Sequence, residues 1–333
     1  MPPLILVIII LLAIIVYIIV PMPEYQPPVV QSSSTVSTRK EQDLIRIHAP
    51  SEGSNPKSSV SSRREDLLIW NTLQFLYNIR QHERRVYSQD NEDGVIEYLF
   101  DNMGTTNKRY VEFGTQSCSE CNTRWLWEEY GWDGLLIDGN GKTGDSRIIR
   151  NHYITEDNIV GLFQKYDAPK EMDLLSVDID SQDFYVLDAI LRGGYRPRVV
   201  VVEINRSFGL NESYTIDRSV LVWKGDSAFG MSPLAANRLC NKYNYHGVYL
   251  QANGVNLYCV SRKAMSDLVF SKTNIRIEPN ELREYLPQFS YWWHKTEAIH
   301  TDSLIKFRKE FLSLPCWMVV NEAGEAVNRT IGM

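Results

Sequence analysis

The stretch Arg109 to Asp138, RYVEFGTQSCSECNTRWLWEEYGWDGLLID, decides the fold. Tyr110-Val111-Glu112-Phe113 is a short bulky and β-branched run that favours a buried strand, and it breaks at Gly114. After a loop, the apolar Trp125, Leu126 and Tyr130 recur at helical spacing up to Gly131. Leu135-Leu136-Ile137 then forms a second apolar run that stops at Asp138. Strand, glycine turn, helix and strand in so short a span make a βαβ crossover, which forces a parallel sheet. Such sheets bind ligands at the carboxyl ends of their strands. Gly114 and Asp138 both fall there, the first able to let backbone approach a ligand and the second able to accept hydrogen bonds from ribose hydroxyls, so the residues point to a nucleoside cofactor. The structural alternative is that Gly114 only turns the chain and Asp138 only caps a helix.

Working outward, the chain alternates. A helix is expected from about Glu65, with Leu67, Leu68, Trp70, Leu73, Phe75, Leu76 and Ile79 on its apolar face, and a second over Val95–Met103. After Asp138 a glycine-rich loop leads to a short third strand at His152-Tyr153-Ile154. A helix over Glu156–Tyr166, a buried strand Met172–Ile179, a helix Phe184–Leu191 and the β-branched run Arg198–Ile204 follow. Both strands end in acids: Asp178 and Asp180 after the first, with Asp183 beyond the turn, and Glu203 in the second, followed by Asn205. Pro233–Tyr243 reads as a helix, and Gly247–Leu250 and Val255–Val260 flank Asn253-Gly254, a strong hairpin signal. The expected architecture is therefore α/β, a mostly parallel sheet closed by an antiparallel hairpin. In the C-terminal part, the YWWH stretch at 291–294 is read as core or as a binding surface.

The 333 residues, 44% of them hydrophobic, suffice for a sizeable core, and a net charge of −6 argues against nucleic acid as a partner. The five cysteines include one C-x-x-C, Cys118 and Cys121, without the second pair that a four-cysteine zinc site needs. A redox motif, a disulfide and incidental thiols all stay open for that pair. Leu4 to Val20 carries no charge and is closed by Pro21, long enough to cross a bilayer. Residues 1–21 are read as a transmembrane signal anchor, residues 22–63 as a Ser/Pro-rich disordered stalk, and residues 64–333 as an α/β domain with a helical C-terminal extension. The short uncharged N-terminus suits a single-pass protein of the endoplasmic reticulum, Golgi or cell surface whose globular part is lumenal or extracellular. Sequons at Asn205, Asn211 and Asn328 would be usable there.

Five α/β units and a closing hairpin resemble the seven-stranded, Rossmann-like sheet of S-adenosylmethionine-dependent methyltransferases. The phrases YVEFGTQ, NTRWLWEEYGWDGLLIDGN, KEMDLLSVDIDSQDFYVLDAIL and RPRVVVVEIN resemble the FkbM-like methyltransferases over about Asp90 to Arg262, and the whole layout is similar to the membrane-anchored, Star-like animal branch of that family. The resemblance implies S-adenosylmethionine as cofactor, Glu112 and Gly114 at the end of the first strand and its cofactor turn, Asp138 as the ribose acid, and Asp178 and Asp180 beside the methyl-transfer centre. The segment Gly114-Thr115-Gln116-Ser117-Cys118-Ser119-Glu120 departs from the family, whose enzymes place two or three glycines there.

Two functional classes follow. In an enzyme, methyl transfer to a hydroxyl of a glycan, lipid or protein needs a base, and Asp178, Asp180 or Glu203 can serve. The same acids with Asn205 can instead hold Mg²⁺ or Ca²⁺, or Asp180 and Asp183 can cap the following helix. In the other class, the domain is a non-catalytic adaptor or cargo-binding module trafficking between endoplasmic reticulum, Golgi and endosome.

Overall fold

The computed structural model describes residues 60–140, 148–289 and 311–328. Seven strands form one sheet: β1 (Arg109–Phe113), β2 (Asp133–Asp138), β3 (Ile149–Asn151), β4 (Leu174–Val177), β5 (Val199–Glu203), β7 (Tyr245–Leu250) and β8 (Asn256–Ser261). Their order across the sheet is β3-β2-β1-β4-β5-β8-β7. The β1/β2, β1/β4, β2/β3 and β4/β5 pairs are parallel, whereas β8 runs antiparallel to both β5 and β7. This is the Rossmann-like arrangement expected from the alternation, closed by the expected hairpin. Val199 to Val202 are wholly buried, as a continuous β-branched run in a sheet covered on both faces must be.

Helices Glu92–Met103, Arg124–Glu129, Ile159–Lys165, Asp183–Arg192, Pro233–Lys242 and Arg262–Thr273 cover the sheet. Ser232 caps the Pro233 helix by accepting from the Ala235 N–H, with proline at its first position. A second sheet of three short antiparallel strands, β6 (Tyr214–Ile216), β9 (Trp317–Val320) and β10 (Ala326–Val327), has its own apolar cluster of Phe208, Ile216, Phe311 and Trp317.

Three expectations are corrected. The third strand is Ile149–Asn151, not 152–154, because Ile149 is the residue that pairs beside Leu136 and is buried, while Tyr153 is largely exposed. The N-terminal helix runs Val60–Leu73 and gives way to a 3-10 segment, Gln74–His82, so the apolar face is not continuous. Leu67 and Leu68 are exposed, and the buried set is Ile69, Leu73, Leu76 and Ile79. This helix begins inside the segment read as stalk. The expected membrane anchor and the YWWH stretch lie outside the described residues; among those residues, no helix is long and apolar enough to cross a membrane.

Candidate functional site

In the observed order the chain turns back between β1 and β4, and the carboxyl ends of these neighbours border the crevice in which open α/β sheets take ligands. Gly114 leaves β1 there with φ +80°, and a Cβ on it would stand 1.6 Å from the Asp178 carbonyl oxygen at the end of β4. Only glycine lets the two strand ends approach so closely. The next residues fold into a tight loop in which Gln116 and Cys118 also have positive φ, the Cys118 N–H donates to the Thr115 carbonyl, and Cys118 and Cys121 are joined as a disulfide. The pair is therefore bonded rather than two incidental thiols.

Asp138 faces this loop from β2. Its Oδ2 accepts the Gln116 N–H at 2.8 Å and its Oδ1 accepts the Asn140 N–H at 2.7 Å. A carboxylate has about four acceptor positions, so two remain for a diol. Asp138 caps no helix among the described residues, and its side chain is buried at the end of β2. Glu112 is differently engaged. Its two oxygens accept the Asn122 and Thr123 N–H groups and the Thr123 hydroxyl, which fastens the start of the Arg124–Glu129 helix, and burial raises its carboxyl to about 7. Thr115 carries the signal that fits a ligand at this turn: its hydroxyl is buried and has no hydrogen-bond partner among the described residues.

The second group of functional atoms is acidic. One carboxyl oxygen each from Asp178, Asp183 and Glu203 lies within 4.8 Å of the other two. Three carboxyls this close cannot all ionise. Burial, then Asp178 and its acidic neighbours, push Glu203 up to about 11; burial followed by Asp183 and Asp180 pushes Asp178 well up; and burial raises Asp183 to about 6. A hydrogen bond from Glu203 favours the ionised form of Asp178 and the protonated form of Glu203, and the Glu203 Oε2 is buried with no partner among the described residues. The spacing suits either a shared proton or a divalent cation.

Asp183 is the residue that sequence reasoning placed elsewhere. It stands at the first position of its helix, makes no helix cap, and reaches back to accept the Ile179 and Ser181 N–H groups, which brings its carboxyl into the cluster. Asp180 is exposed, in left-handed conformation, and is not a cap either. Asn205 is unavailable as a cation ligand: wholly buried, it donates to the Ser227 and Phe229 carbonyls and accepts the Ser207 N–H. The structure therefore brings Gly114, Asp138, Asp178 and Glu203 to the carboxyl edge of the sheet, and turns Glu112 and Asn205 to structural work. The chain matches no family model, and no curated protein sequence matches it significantly.

Proposed function

We propose that this chain is a membrane-anchored S-adenosylmethionine-binding protein of the methyltransferase fold, transferring a methyl group to a hydroxyl on the non-cytosolic side of a membrane. The observation that carries this reading is the switch point between β1 and β4, where Gly114, the unpartnered Thr115 hydroxyl, Asp138 and Asp178 meet. Asp138 keeps acceptor positions for the ribose, and the Thr115 hydroxyl supplies a donor or acceptor to the amino-acid portion. The cofactor, when bound, supplies an electrophilic methyl group. The chain's own part is proton handling: Glu203 holds a proton at neutral pH and donates it toward Asp178, which leaves Asp178 the better placed to receive the proton of an acceptor hydroxyl. A C118–C121 disulfide agrees with an oxidising compartment.

The observation that favours the adaptor reading is the engagement of the same acids by the chain itself, Glu112 by Asn122 and Thr123 and Asp138 by Gln116 and Asn140. Calorimetric titration of S-adenosylmethionine separates the two. The compact unit 58–333 should bind it with saturable heat, and Asp178→Asn should retain binding while losing about a hundredfold or more in turnover on a hydroxyl acceptor. Absence of binding at millimolar cofactor hands the lead to the adaptor.

A further inference from the structure

Residues 217–230, between β6 and the Pro233–Lys242 helix, form a loop whose end lies beside the acidic cluster: a Cβ on Gly230 would stand 4.0 Å from the Asp183 Oδ2. The loop is fixed at its base, where the Ile216 N–H donates to the Gly230 carbonyl and Thr215 bridges Met231. It is fixed against the turn between Asp180 and Asp183: the Gln182 Nε2 donates to the Arg218 carbonyl at 2.6 Å and the Val220 carbonyl at 3.1 Å, and the Gly230 N–H donates to the Ser181 carbonyl. The Tyr153 hydroxyl donates to the Leu221 carbonyl, and the Asn205 Nδ2 donates to the Ser227 and Phe229 carbonyls. The turn itself is closed by the Trp223 Nε1 donating to the Asp226 carbonyl, with the Trp223 and Phe229 rings 5.6 Å apart.

A loop so firmly held nevertheless turns its apolar side chains outward. Leu221, Val222 and Trp223 are 52%, 62% and 40% exposed, and Tyr153 beside them is 54% exposed. Single exposed apolar residues need no explanation, but three in succession at the tip of a rigid loop, with a fourth adjoining, mark an interaction surface. Exposed Lys224 follows directly, so apolar groups, an indole and an amine are presented together. That is the side-chain chemistry of a bilayer interface, where tryptophan sits at head-group level and lysine reaches the phosphates.

We propose that the 221–223 tip inserts into a phospholipid bilayer and seats the carboxyl edge of the sheet, with its acidic cluster, against the membrane surface. The occupant is argued from the chain's length. Only residues 21–59 separate the apolar segment 4–20 from the first described helix, and 39 residues reach at most about 130 Å even fully extended. A domain that cannot leave that range of an anchoring bilayer meets its surface as an intramolecular event, so a weak apolar tip suffices to hold it there. The proposal rests on the anchored reading given above, and it narrows the acceptor to a hydroxyl presented at the membrane surface.

The test uses the full chain reconstituted into phosphatidylcholine/phosphatidylserine vesicles whose acyl chains are brominated, with tryptophan fluorescence as the readout. Trp223 at the interface should be quenched, so W223F should lose a measurable share of the total quenching. The double substitution L221S/V222S, which leaves Trp223 in place, should lower quenching to the W223F level, with circular dichroism showing the fold unchanged. Equal quenching in parent and W223F overturns the proposal. So does a tip that no lipid quenches but whose substitution dissolves a dimer in detergent, which would make it a protein interface. Carbonate extraction of the same vesicles reads the anchor separately: a chain that washes off refutes the anchored reading, while one that stays with Trp223 unquenched refutes the tip.

Discussion

At the scale of single residues, the carboxyl cluster makes a prediction of definite sign. Glu203 keeps its proton in the folded chain up to about pH 11, whereas the unfolded chain releases it in the ordinary carboxylate range. The folded state therefore binds more protons between those limits, and stability falls as pH rises through that window. Asp183, raised to about 6, adds to the fall between pH 4 and 6. Glu203→Gln removes this contribution, so its thermal midpoint should exceed the parent's by a few degrees at pH 8 and converge with it near pH 4, measured by calorimetric scans across pH. A variant less stable than the parent at pH 8 would show that the Glu203 charge is compensated, as by a bound cation. Asp138 carries the opposite lesson. As a residue at the edge of a sheet it looks replaceable, but it is buried and accepts two backbone N–H groups. Each bond to a charged acceptor contributes about 1.5–3 kcal/mol, so Asp138→Ala should lower unfolding stability by roughly 3 kcal/mol, while Asp138→Asn, which retains one acceptor oxygen, should lose less. Urea midpoints at constant slope will rank the two variants, and an alanine variant as stable as the parent would remove Asp138 from the loop's support.

At the scale of elements, the loop 114–121 is stiffened by covalent as well as polar means. Two of its non-glycine residues, Gln116 and Cys118, sit at positive φ, a conformation that side chains disfavour and that the surroundings must hold in place. The Cys118–Cys121 bridge and the Asp138 carboxylate do so. Peptide mapping under non-reducing conditions should find this bridge, with Cys240, Cys259 and Cys316 free, and replacing both bridged cysteines by alanine should cost about 1–2 kcal/mol. Free alkylation of Cys118 and Cys121 in protein from an oxidising compartment would contradict it. The neighbouring elements show what a sequence can reveal. β1, β2, β4, β5 and the hairpin were legible because each is a run of buried residues bounded by glycine, acids or Asn-Gly. β3 was displaced by three residues because an edge strand of three residues carries one buried side chain, too little for a pattern. β6 and β9 were illegible for a different reason: Tyr214 pairs with Val319, more than a hundred positions away, and neither short run alternates strongly enough to announce its partner. Among site residues, the strand-end acids stood out by position, whereas Thr115 and the place of Asp183 in the cluster depend on how loops fold back, which no local spacing encodes.

At the scale of the whole molecule, the three sequons turn the fold into a gauge of topology. Asn211 and Asn328 are exposed, the first shortly before β6 and the second directly after β10. Asn205 is wholly buried, and its Nδ2, the atom a glycan would occupy, donates to two carbonyls that hold the 217–230 loop in place. A glycan there cannot coexist with this fold, since it would replace both hydrogen bonds and fill a closed site with a bulky polar group. If the domain is translocated, mass spectrometry of the chain from secretory membranes should find sugar on Asn211 or Asn328, while the Asn205 peptide should be unmodified in the folded fraction. Loss of the mobility shift on treatment with an N-glycosidase, and in the N211Q and N328Q variants, gives the same answer by gel. A chain with no glycan at either exposed site, and digested by protease in intact microsomes, would place the domain in the cytosol. The acidic cluster would then meet a reducing compartment rich in S-adenosylmethionine, and the disulfide rather than the cofactor would become the feature needing another account.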